Sequence, residues 1–179
     1  MPKLKESIKK ISFKQGLYLG AILSGLTIIA YLINWDIFLS PWFQFAKFLI
    51  VIGSATYATL LARKAYLMSF SFRDGFSAFF IAVAVGFGVF TIVNWLLFDL
   101  IAVDAGRYIN DAAINIRKEQ LEALQQEPEK IEIAIEELKS SYQFSFINQF
   151  KGYFITLVLY CLAAPVVALI FKTKKPIIK

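Results

Sequence analysis

The sequence has no histidine and a single cysteine, Cys161. Without imidazole, zinc sites, haem ligation and histidine-based acid–base catalysis lose their usual residue. One cysteine cannot close an intramolecular disulfide. Cys161 sits in an apolar run and reads as a small packed hydrophobe rather than a reactive thiol. No phosphate-binding loop, nucleophile elbow, zinc-binding H-E-x-x-H or dinucleotide fingerprint occurs. Gly86 and Gly88 form only a G-x-G inside an apolar stretch. No catalytic residue, cofactor or metal site is therefore expected, and the protein is not expected to be an enzyme. Charge is also missing from four long stretches, and no ionisable residue falls near the middle of any of them. Such mid-bilayer charges commonly mark ion and substrate pathways.

What is present is apolar surface. Hydrophobic residues make up 58% of the 179, with 18 phenylalanines, against about 45–50% apolar in a soluble domain. The pattern predicts an all-α integral membrane four-helix bundle. Its spans are expected at about 16–39, 43–62, 76–100 and 150–171, with an extramembrane helical hairpin at about 104–149 between spans three and four. The first block is too long for a signal-peptide core and has no convincing cleavage site before Trp35. The segment before it, with Lys3, Lys5, Lys9, Lys10 and Lys14, reads as a basic anchor. An amphipathic surface helix carrying Leu4, Ile8 and Ile11 is the alternative.

The net charge of +6 flanks the spans, so it reports topology rather than nucleic-acid binding. With both termini on one side, that side holds twelve of the 19 Lys and Arg and only two acids, Glu6 and Asp74. The positive-inside rule then puts both ends in the cytoplasm and the acidic hairpin outside. Within that hairpin Ile109, Ile116 and Leu124 fall near one helical face, and Ile131, Ile135, Leu138 and Tyr142 share another beyond Pro128. Pro128 suits the first turn of a new helix. The two stripes are expected to close on each other or on a partner, with the arms continuing spans three and four.

Small residues recur every fourth position at Gly16, Gly20 and Ser24, at Ser54, Ala58 and Ala62, and at Ala78, Ala82 and Gly86. This spacing lets membrane helices approach closely. Asp36 or Asp99 is expected to pair with Lys47 near the outer boundary. Asn94 is expected to bond across to another helix, and Pro165 to kink span four. Glu119, Glu122, Glu132, Glu136 and Glu137 read as a solvated face rather than a cation site.

Several segments carry a family resemblance: the second span IGSATYATLLARKAY, the short SFRDGF connection with Ser71, Phe72, Gly75 and Phe76, and the VNWLLFD exit from span three. With the charged segment and the closing span, the layout resembles bacterial four-span membrane proteins catalogued as domain of unknown function 4199. FDLIAVDAGRY lacks a proline that the family often has after span three. The resemblance implies this architecture and a bacterial envelope setting, with no activity. The expected role is a non-catalytic interaction or scaffold protein of the bacterial cytoplasmic membrane. Its hairpin would dock an envelope protein or a second copy, and lipids would surround its spans. A small transporter or lipid-handling protein with a cavity near Asn94 and Pro165 is the alternative.

Overall fold

The computed structural model describes residues 2–65 and 70–173, with side chains from Glu6 onward. Part of the basic flanks, the Lys3 and Lys5 side chains and Lys174, Lys175 and Lys179, lies outside the described residues. Among the described residues the fold is all-α: α1 (Pro2–Ile33), a 3-10 turn (Trp35–Leu39), α2 (Pro41–Ala65), α3 (Phe72–Trp95), a π-helical segment (Leu96–Ile101), α4 (Val103–Ala123), α5 (Pro128–Lys139) and α6 (Phe146–Phe171). Four stretches are long and apolar enough to cross a membrane: Glu6–Ile33, Pro41–Ala65, Phe72–Ile101 and Phe146–Phe171. At 1.5 Å per residue each exceeds the roughly 30 Å of a hydrocarbon core.

Local chemistry sets the helix ends, and several differ from the expected bounds. The first span stops at Ile33 rather than Leu39 because Asn34 is extended and its Oδ1 accepts from the Asp36 amide at 2.8 Å. That bond starts the 3-10 turn, and Pro41 then opens α2 where its missing N–H costs nothing. α3 begins at Phe72, before the expected Phe76, through a capping box. The Ser71 amide donates to Asp74 Oδ2 at 3.1 Å, and the Asp74 amide donates to Ser71 Oγ at 3.2 Å. The N-terminal segment is the first part of α1, where Ile8 is buried beside Ala62, Phe70 and Ala78 while Lys9, Lys10 and Lys14 stay exposed. α6 runs continuously through Pro165.

α3 is the central helix, packing on α1, α2 and α6, while α2 and α6 touch each other far less. The small residues make the α1–α3 approach possible. A Cβ on Gly20 would lie 2.6 Å from Val89 Cβ and 2.9 Å from the Gly86 carbonyl oxygen, and Leu19 fills the space that Gly86 leaves. At the terminal end the Thr173 amide donates to the Phe70 carbonyl at 2.9 Å, and the Phe70 amide donates to Thr173 Oγ1 at 3.1 Å. This reciprocal pair ties the end of α6 to the start of α3.

The opposite end is more complex. After Trp95 the helix widens into π geometry, with the Ala102 amide donating to the Leu97 carbonyl at 2.6 Å. At Ala102 the backbone leaves helical geometry (φ −112°, ψ 55°). α4 therefore does not continue α3 but packs over the π segment and the 3-10 turn. Phe98 is buried in an aromatic cluster with Tyr31, Phe38 and Phe144, the last at 4.7 Å between ring centres. Gly106 must be glycine here, since a Cβ would collide with the Tyr142 hydroxyl and the Phe98 carbonyl. α5 returns against α4 through Ile114, Ile131 and Ile135, with Leu121 beside them. Gln125, at φ 53°, makes the left-handed turn between the two helices.

Candidate functional site

Where α4 folds over the membrane helices it roofs a chamber of about 650 Å³. Its walls come from every apolar helix: Thr27 of α1, Gln44 and Lys47 of α2, Phe90 and Asn94 of α3, and Gln149 and Thr156 of α6. Ile109, Ala113, Ile116, Arg117 and Gln120 of α4 form the roof, and Gln143 and Phe144 close the side. The amphipathic pattern of α4 explains this placement. Its apolar face seats Ile109 beside Phe98, and the flanking polar positions then fall at the chamber rim.

Below the chamber the loose contact between α2 and α6 opens a furrow of about 730 Å³. Its walls are mostly apolar, including Leu23, Phe48, Val51, Phe87, Leu159 and Leu162. Both volumes fall in the roughly 300–1,000 Å³ range of small-molecule sites. The two hollows share Gln44, Lys47, Phe90 and Thr156. A third hollow of about 380 Å³ between α3 and α6, past Tyr153 and Asn148, borders the chamber at Phe90, Gln143, Gln149 and Thr156. Polar and apolar space thus meet at Lys47.

The charge pattern of the chamber is one-sided. Lys47 and Arg117 line it, and no carboxylate does. The Lys47 ammonium lies over the Phe43 and Phe90 rings, 4.9 and 5.9 Å from their centres, so cation–π attraction rather than an ion pair holds it. Thr27 Oγ1 and Asn94 Oδ1 are buried without a protein hydrogen-bond partner. Buried polar atoms of that kind are uncommon, because desolvation without a partner costs about 1–3 kcal/mol. Asn94 therefore does not make the expected bond to a neighbouring helix. A larger hollow of about 800 Å³ between α4 and α5 mixes Lys118 and Lys139 with Glu122, Glu132 and Glu136, so it presents no charge of one sign.

A profile of a family described as "protein of unknown function (DUF4199)" matches residues 14–173. The chain belongs to the DUF4199 family. No curated protein and no solved structure matches it. In this DUF4199 protein the match covers all four apolar spans from Lys14 onward and the whole α4–α5 segment, so the chamber is built entirely from family sequence.

The structure does not bring the expected ion-pair residues of this DUF4199 member together. Asp36 accepts from the Tyr108 hydroxyl at 2.7 Å, Asp99 accepts from Trp95 Nε1 at 2.9 Å, and Lys47 faces aromatic rings. Asp36 finds its donor on α4 and Asp99 on its own helix. The hairpin stripe divides as well. Ile109, Ile131 and Ile135 are buried within the chain, and the Tyr142 hydroxyl donates to the Phe98 carbonyl at 2.7 Å. Ile116 lines the chamber and Leu138 the third hollow, both partly open to solvent, and Leu124 is exposed.

Two tyrosines fasten the roof. Asp36, through its hydrogen bond and then its charge, raises the Tyr108 pKa above the usual tyrosine value. Burial and the charge of Asp99 raise that of Tyr142, and Arg107 opposes the shift. Reading the sequence did not single out Thr27, Gln44, Arg117, Gln149 or Thr156. The one local sign was Gln44 three residues before Lys47, which puts an amide and an ammonium on one face of α2 near its end.

Proposed function

We propose that this protein is a non-catalytic, multi-pass protein of the bacterial cytoplasmic membrane that binds an amphiphilic ligand. The polar part sits under α4 and the apolar part in the α2–α6 furrow. One observation carries the reading: a polar chamber and an apolar furrow join at a single cation, Lys47, that no carboxylate neutralises. A site for a wholly soluble ligand has no use for the furrow, and a purely structural gap between helices does not need the polar wall. The charge asymmetry of the sequence supports termini in the cytoplasm and a chamber that opens on the outer side.

A second reading, the docking of an envelope protein or a second copy, draws support from the exposure of Leu124 (67%) and Ile133 (61%) on the α4–α5 segment. One experiment separates the two. Native mass spectrometry of the detergent-purified protein is expected to show about one retained lipid or lipid-like molecule per chain. Leu159→Trp, at a furrow position that is itself exposed, should remove that molecule and leave the helical circular dichroism unchanged. Retention unaffected by Leu159→Trp would reject the furrow as the site. A stoichiometric protein or a dimer with no lipid would favour docking instead.

A further inference from the structure

We infer that the ligand is an anionic phospholipid, with its headgroup between Lys47 and Arg117 beneath α4 and one acyl chain in the α2–α6 furrow. This rests on the amphiphile reading and names its chemistry. The sign follows from the walls: two cations, several side-chain amides and no carboxylate line the chamber. Neither Asp36, bonded to the Tyr108 hydroxyl, nor Asp99, bonded to the Trp95 indole, is among the residues that line the chamber. An anion entering the chamber would therefore meet no negative wall. A phosphodiester suits the wall better than a lone cation or a neutral headgroup. Its oxygens are all acceptors, and Lys47, Arg117 and the amides of Gln44 and Gln149 are donors. The buried Thr27 hydroxyl, 1% exposed and unpartnered, offers a further donor at the chamber floor.

The furrow argues for a bilayer lipid rather than a free anion. It runs from Gln44 to Val51 on α2 and from Thr156 to Ala163 on α6, about 10 Å of helix. That is a fraction of the roughly 30 Å hydrocarbon core. The furrow can hold the upper part of one chain while the remainder stays in the membrane. Leu159 and Leu162 on its margin are largely exposed, so a lipid can enter sideways between α2 and α6 without unfolding the roof.

The test titrates the detergent-solubilised full chain with phosphatidylglycerol and phosphatidylcholine of identical acyl chains, read by native mass spectrometry. The wild type is expected to prefer phosphatidylglycerol by roughly ten- to thirtyfold, from about one favourable interaction per cation. Arg117→Gln, at an exposed α4 position that cannot disturb the apolar core, should weaken the preference. Lys47→Gln together with Arg117→Gln should abolish it while phosphatidylcholine is still retained. Equal binding of the two lipids by the wild type would overturn the anionic assignment and leave the amphiphile reading standing. Loss of neither lipid's binding in Leu159→Trp would instead defeat the underlying reading. Displacement of bound phosphatidylglycerol by millimolar inorganic phosphate would overturn the lipid assignment in favour of a free anion.

Discussion

Tyr108 and Asp36 show how single residues hold the roof in place. Their 2.7 Å hydrogen bond links α4 to the 3-10 turn that ends the first span, and it raises the tyrosine pKa. A folded-state pKa above the unfolded value of about 10 means that the contribution is fully present below pH 10. It is lost as pH rises through the folded pKa. Protection factors in α4, with the base-catalysed intrinsic exchange rate divided out, should therefore fall above pH 10 in the wild type. In Tyr108→Phe the protection should already be lower at neutral pH and show no such fall; a fall of equal size in the variant would assign it to another group. Lys47 teaches a related lesson. Its position near a helix end and two acids in sequence range suggest an ion pair, yet aromatic faces are closer.

The helices carry their own instructions at the next scale. Small residues every fourth position predict close approach, and Gly16 and Gly20 make it against the Val85 and Val89 side chains. Which helix would be the partner is not written in that spacing, because any helix can accept a smooth face. Gly20→Val should force α1 off α3, since backbone and a β-branched side chain both stand in the way. Overpacking of this kind costs about 1–3 kcal/mol. A lowered melting temperature in detergent with the helical signal retained checks it, and an unchanged melting temperature would show that α1 moves freely. The π segment is harder to read from sequence. Phe98 must be turned into the aromatic cluster and its carbonyl toward Tyr142. Those demands come from the adjoining α4 and from the 3-10 turn and residues 142–144, the last two remote in sequence.

For the molecule as a whole, the four apolar helices place the chain's two ends on one side if each crosses the membrane once. In a Cys161→Ala background, Thr173→Cys and Glu132→Cys should react from opposite sides of sealed vesicles. Thr173→Cys is expected to label only from the cytoplasmic face and Glu132→Cys only from the outer face, and labelling of both from one face would refute the topology. The chamber also belongs to this scale, since no single helix contains it. Its walls bring together Thr27, Lys47, Asn94, Arg117 and Thr156, residues that are ordinary in their own segments.

Hydropathy and helical period determined the four spans, the central place of an α-helical architecture and the solvent-exposed hairpin. These depend on how much apolar surface a segment carries and at what spacing, which is local information. The capping box at Ser71 and the helix start at Pro128 are local in the same way. Only the tertiary structure decided that α4 folds back as a roof, that Ile109, Ile131 and Ile135 close within the chain, and that Asp36, Asp99 and Lys47 part company. Each outcome is a choice among competing partners of similar local fitness. Such choices are settled by which surfaces the packed helices bring within reach, and composition and spacing carry no record of that distance.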